Sequence, residues 1–110
     1  SPEFKNVIEF RHESWYDESV WERLRSHRVT FCTVSSGQVP GSLVETSPVA
    51  YFRFHGLTGG HRYNYTDEEL AQWAETIKAV KTEECYVYFN NDYQAYAVSN
   101  CQKLTGLLEP

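Results

Sequence analysis

Ala50-Tyr51-Phe52-Arg53-Phe54-His55-Gly56-Leu57-Thr58-Gly59-Gly60 is the stretch that decides the fold. Phe52 and Phe54 alternate with Tyr51, Arg53 and His55, and a period of two sends alternate residues to opposite faces of a strand. One face is apolar. The other carries a guanidinium beside an imidazole. The segment then runs into a glycine-rich turn. A fold that suits it must cover one face with hydrophobic groups and give the other a polar setting.

The flanking chain repeats this pattern. In Val7 to His12, Ile8 and Phe10 oppose Glu9 and Arg11. In Cys85 to Phe89, Val87 and Phe89 oppose Tyr86 and Tyr88, with Asn90 next on the polar side. Thr30 to Val34 is a further strand, rich in β-branched residues.

Helical stripes lie between the strands. Asp17 is placed to cap a helix over about 17–26, with Val20, Trp21 and Leu24 on one face and His27 and Arg28 at its end. Thr66-Asp67-Glu68-Glu69 is a capping box, opening a helix to about Lys81 with Leu70, Trp73, Ile77 and Val80 buried. A last helix, about 94–108, presents Ala97, Cys101, Leu104 and Leu108. Trp15, Trp21 and Trp73 are expected in the core. Ser35 to Pro48 holds two prolines, two glycines and four serines. It is a long loop, and such loops are usually functional or poorly ordered.

Strands alternating with helices predict a parallel sheet with right-handed crossovers. The crossover through Ser35 to Pro48, without a helix, is its weakest link. An antiparallel sheet with one wet face gives the same alternation, but no two-residue hairpin turn joins any strand pair. A parallel sheet covered on both faces has continuous apolar strands, and these alternate. The polar face therefore suits the lumen wall of a barrel, whose sites lie at the strands' C-terminal ends. A full barrel of this kind takes about 250 residues. The chain has 110. The expected fold is α/β: half of a TIM-type barrel, four parallel strands with three helices on one face.

Composition limits the function classes. The net charge of -5 excludes a broad basic nucleic-acid footprint while leaving room for a local cationic pocket. Cys32, Cys85 and Cys101 have no zinc or disulfide spacing. Cys32 and Cys85 sit in apolar runs and are expected to be reduced core thiols, which suits the cytoplasm. No apolar run approaches the ~18 residues a membrane span needs, and no signal peptide is evident. Ser1-Pro2-Glu3-Phe4 has the look of a cloning remnant and carries no functional weight.

Three ordered motifs, Glu9-Phe10-Arg11-His12-Glu13-Ser14-Trp15, Tyr51-Phe52-Arg53-Phe54-His55-Gly56 and Tyr86-Val87-Tyr88-Phe89-Asn90-Asn91-Asp92, resemble the domain-of-unknown-function family 72, also called YecE-like. Tyr65, Leu70, Trp73, Ala97, Asn100 and Leu104 fit the same pattern. The resemblance runs from Val7 to Leu108. It implies a TIM-type barrel of about twice this length, with this chain as strands five to eight. The family usually has an aspartate just after the sixth strand, and Ser35 and Ser36 stand here instead. No activity is established for the family, so the resemblance implies a fold and a site but no reaction.

Glu9 and His55 are the candidate catalytic pair. Arg11, Arg53, Gly59, Gly60, Asn90 and Asn91 are the candidate phosphate-binding set. Arg53 can hold an oxyanion bidentately, glycine N–H groups can approach it closely, and an imidazole can exchange a proton near neutral pH. Glu9 is open to three roles: a base, a metal ligand, or the partner that keeps Arg11 or Arg53 neutralised. Each candidate has a structural alternative too: a lumen ion pair, a core histidine, a flexible turn, a helix cap. His12 and Trp15 are assigned to structural support. No cofactor is assigned; a divalent metal at Glu9 and His55 would have two ligands, short of a complete set.

Two functions remain in contention. One is a phosphate-recognising hydrolase, phosphodiesterase-like, acting on a small phosphorylated ligand or nucleic acid and inactive as a half-barrel alone. The other is a non-catalytic ligand-binding or scaffold domain with a structural polar lumen. Two uncovered sheet edges predict self-association, as a homodimer or by strand exchange. The alternative is a small open sandwich in which Tyr51, Tyr86 and Tyr88 bury the polar face.

Overall fold

The computed structural model describes residues 6–109, so the Ser1–Phe4 segment lies outside the described residues. Strands β1 (Val7–Ile8), β2 (Thr30–Ser36), β3 (Val49–Gly56) and β4 (Glu84–Phe89) form one sheet in chain order. Every neighbouring pair is parallel, which overturns the antiparallel alternative. The helices are α1 (Glu18–Ser26), α2 (Asp67–Lys78) and α3 (Tyr96–Leu108). The architecture is α/β, half of a TIM-type barrel.

The alternation in β3 sorts the two faces. Phe52 and Phe54 are fully buried and meet Leu70, Ala74 and Leu104 from α2 and α3. Phe54 stacks on Phe89 at 4.6 Å and takes Trp73 edge-on at 5.0 Å. A second cluster, Phe10, Trp21, Leu24 and Phe31, seats α1 against β2. The parallel register places Thr33, Phe52 and Val87 in one row and Val34, Arg53 and Tyr88 in the next. The second row faces the lumen.

Local chemistry sets the helix boundaries. Thr66 and Glu69 exchange both hydrogen bonds of the capping box. Asp17 stands at the N-cap of α1, but its carboxylate accepts from Ser19 Oγ at 2.7 Å instead of capping the backbone. The segment between β2 and β3 contains no helix, and Thr46 ties it down. Its hydroxyl accepts from Phe31 N at 2.9 Å and donates to Val29 O at 2.7 Å.

Several expectations need correction. The first strand stops at Ile8, because the chain leaves the sheet edge to bury Phe10 and to let His12 Nδ1 accept from Ser14 N at 3.1 Å. The second helix ends at Lys78, short of Lys81. The last begins with a 3-10 turn, Tyr93–Ala95, in which Gln94 and Ala95 have φ of 50° and 62°. Trp15 is 53% exposed, stacked on Phe10 at 5.3 Å instead of buried. Cys85 and Cys101 are exposed, the first within β4, the last strand of the sheet, and the second on α3 beside it. The four strands make one sheet, so the sandwich alternative does not form.

Candidate functional site

Glu9 follows the last residue of β1, and Asn90 that of β4; Arg53 and His55 lie in the last half of β3. The site thus gathers at the C-terminal ends of the strands. Glu9 is its centre, with its side chain only 10% exposed. Its Oε1 accepts from Arg53 Nη1 at 3.1 Å. Its Oε2 lies 2.9 Å from Arg11 Nε and 3.0 Å from His55 Nε2. Arg53 is held from the other side too, with Nε and Nη2 donating to Asn90 Oδ1 at 3.3 and 3.2 Å. Asn90 is fixed because its N–H extends the β3–β4 ladder to Phe54 O at 2.8 Å.

A cleft of about 410 Å³ opens above this cluster. Glu9, Arg11, His55 and Gly59 line it, joined by Ser36, Gly37, Gln38, Gly56 and Leu57. Gly37 is required by close approach: a Cβ there would stand 2.3 Å from Leu57 O. Gly59 has φ of +69°, a conformation L side chains rarely adopt. Gly60 opens the 3-10 turn Gly60–Arg62 beyond it.

Asn91 does not belong to the site. It is fully buried, and its Nδ2 donates to Tyr63 O at 2.8 Å and Asn100 Oδ1 at 2.7 Å. Facing away from Arg53, it locks the β4–α3 connection. Trp15 supports Phe10 from the outside. The metal reading fits poorly, because Glu9 Oε2 and His55 Nε2 meet each other directly. Among the described residues no group of three or more His, Cys, Asp or Glu side chains clusters for a metal.

Other residues at the site were not anticipated. Cys32 lies fully buried under Glu9, its Sγ donating to Oε1 at 3.7 Å. Burial, with Glu9 nearby, pushes its thiol up to about 12. Burial likewise raises Tyr16 to about 12, with Cys32 and Glu9 adding to the effect. Tyr65 joins the ends of two strands: its hydroxyl accepts from Gly56 N and donates to Ser35 Oγ, both at 2.9 Å. Ser35 therefore braces the rim. Parallel register is the signal for Cys32, which pairs with Tyr51 on the lumen face.

Two outcomes follow for the thiols. A colorimetric thiol reagent should titrate Cys85 and Cys101 in the folded chain and Cys32 only after unfolding. Cys32 also contributes to alkaline sensitivity. Its folded pKa lies above the ordinary thiol value of 9.0, so its contribution is complete below pH 9 and is lost as pH rises toward about 12. Cys32→Ala should flatten the alkaline limb of a stability-against-pH curve. Three fast thiols in the native chain would contradict the burial.

The model of a family described as "Protein of unknown function DUF72" matches residues 1–110. The chain belongs to the DUF72 family. A crystal structure of a DUF72 family protein from Thermotoga maritima is 34% identical, with a TM-score of 0.92 over 97% of this chain. Two structures of a DUF72 family protein from Enterococcus faecalis are 25% and 22% identical, with TM-scores of 0.87 and 0.88 over 96%. This chain spans only 47% of the Thermotoga chain and 49% and 47% of the same two Enterococcus chains. No curated protein matches. This DUF72 chain contains no helix, among the described residues, long and apolar enough to cross a membrane.

Proposed function

We propose that this DUF72 half-barrel contributes a phosphate-recognising site and that Glu9 and His55 move a proton there, as in a phosphodiester hydrolase. One observation carries the reading: a single carboxylate, Glu9, is shared by Arg11, Arg53 and His55. Even with His55 neutral, two guanidiniums share one carboxylate, so the cluster keeps an excess positive charge beside the cleft that Arg11 and Glu9 line. An oxyanion with several acceptor oxygens offsets that excess, and guanidinium groups bind it strongly. Gly59 admits the ligand close to the backbone.

His55 is oriented for proton transfer. Its Nε2 is held by Glu9, and Nδ1 has no partner among the described residues. In hydrolysis, water oxygen bonds to phosphorus and the ester P–O bond breaks. The imidazolium gives its proton to the departing oxygen, and the proton released from water passes to solvent. Glu9 steadies the charged imidazole.

Calorimetric titration with inorganic phosphate and a nitrophenyl phosphodiester tests this. Arg53→Lys keeps the charge but loses the planar fork, and it should weaken binding about tenfold. Arg53→Ala should abolish measurable binding. Unchanged affinity in both variants, or none in the parent chain, would remove phosphate recognition.

A further inference from the structure

We infer that the cleft selects a singly charged phosphodiester over a doubly charged phosphomonoester, with the open fork of Arg11 as its anion-binding arm. The inference rests on the phosphate reading above and names the class of ligand that the same site takes. Segments after three adjacent strands build the cleft: Glu9 and Arg11 follow β1, Gly37 and Gln38 follow β2, and Leu57 and Gly59 follow β3. Its volume of about 410 Å³ is that of a small-ligand site. The two arginines play different parts in it. Arg53 is not among the residues that line the cleft. Its Nη1 donates to Glu9, and its Nε and Nη2 donate to Asn90. Arg11 does line the cleft and gives Glu9 only its Nε. The two terminal nitrogens of Arg11 have no partner among the described residues, and its side chain is 72% exposed. They present the parallel N–H pair that binds two oxygens of one anion. Arg53 acts through Glu9, because without it the carboxylate would neutralise Arg11.

Charge sets the preference. With His55 neutral, two guanidiniums and one carboxylate leave a single excess positive charge. A diester carries one negative charge over two free oxygens, which matches one fork and one charge. A monoester carries nearly two negative charges over three terminal oxygens. Its second charge meets no second open guanidinium among the cleft residues and stands near the Glu9 carboxylate. Like charges at close range repel, more so where water is partly excluded. The Glu9 oxygens are already engaged by Arg11, Arg53 and His55, so Glu9 has little capacity left to accept a proton from the ligand. Ser36 and Gln38 add neutral donors. Ser36 Oγ accepts from Gln38 N at 3.2 Å, which leaves its own O–H and the Gln38 amide for the ligand. They add hydrogen bonds without adding charge, so they do not favour a dianion. Hydrolysis adds water across one P–O bond of a diester and yields a monoester and an alcohol. The product therefore carries the charge that the cleft disfavours, and this speeds its release.

Calorimetric titration with nitrophenyl methyl phosphate and with nitrophenyl phosphate, at about pH 8 where the monoester is a dianion, tests this. The two probes differ by one methyl group and one charge. The parent chain should bind the diester at least about tenfold more tightly, beyond the roughly fourfold that burial of one methyl accounts for. Arg11→Ala alters an exposed side chain and should weaken diester binding at least about tenfold. Glu9→Gln raises the excess charge and should bring the preference down to the methyl group's share or reverse it. A monoester bound as tightly as the diester, or more tightly, overturns the selectivity and leaves phosphate recognition standing. Diester affinity unchanged in Arg11→Ala overturns the assignment of the arm, and a preference unchanged in Glu9→Gln overturns its electrostatic origin. Binding of neither probe by the parent chain overturns this inference together with the reading on which it rests.

Discussion

Glu9→Ala is expected to destabilise the folded chain by about 2–3 kcal/mol, lowering the thermal midpoint by roughly 10–15 °C. Removing one partner of a buried ion pair leaves the other charge desolvated without compensation. Glu9 serves three partners, so its loss strands Arg53 and His55 together. Those side chains keep partial contact with water, at 33% and 25% exposure, so the cost falls below that of a sealed pair. Glu9→Gln separates packing from charge. It preserves the shape and should raise phosphate affinity roughly tenfold, because a carboxylate competing for the same guanidiniums is gone. Thermal melts and phosphate titrations of both variants check this. A melting change with no affinity change would make Glu9 a structural counter-ion and leave the scaffold reading standing.

The strands reveal much of this arrangement in the sequence, for a specific reason. Phe52 and Phe54 against Arg53 and His55 fix which face is covered, and alternation survives any change of neighbour. Once the strands are parallel and in order, Glu9, Arg53 and Asn90 come to one end of one face. Their partnership is thus a consequence of pattern plus direction. The short first strand was not legible. Glu9-Phe10-Arg11 keeps an extended alternation, but a strand at a sheet edge has one neighbour to hold it, and the demand to bury Phe10 wins.

Burial of single residues was harder to read. Cys85 shares a strand with Val87 and Phe89, and Trp15 is a large aromatic, yet one lies exposed on β4 and the other on the outer surface of a small cluster. Position in the sheet decides exposure, and composition does not encode it. The lumen side of β2 shows the reverse. Cys32 and Val34 lie on the same face as Arg53, yet both are buried, with Val39 and Tyr51 packed against them. The long loop after β2 therefore supplies cover that a helix supplies elsewhere. Asn91 was misplaced because it adjoins Asn90, and consecutive residues past a strand end point in different directions.

Asn100→Ala should destabilise the chain by about 3 kcal/mol and also weaken phosphate binding, although Asn100 lies away from the cleft. Its Oδ1 accepts from Tyr65 N at 3.2 Å and from Asn91 Nδ2 at 2.7 Å, and its Nδ2 donates to Asn64 Oδ1 at 3.0 Å. Truncation leaves two buried donors without that acceptor at once. Among the described residues Asn91 Oδ1 has no partner, so Asn91 is then held by the Nδ2 bond to Tyr63 O alone. The connection it anchors is also costly to hold, because Gln94 and Ala95 are successive non-glycine residues in left-handed conformation. Such residues cost on the order of 1–3 kcal/mol each and persist only where surrounding contacts impose them. Loosening the connection frees Asn90, and Asn90 is what holds Arg53 on the side away from Glu9. Chemical denaturation measures the first effect, and hydrogen exchange at residues 90–95 measures the second. Exchange there should accelerate at least about tenfold relative to the β3 amides. A loss below about 1 kcal/mol with unchanged exchange would show that the Arg62–Tyr93 contact, not the asparagine network, fixes the connection.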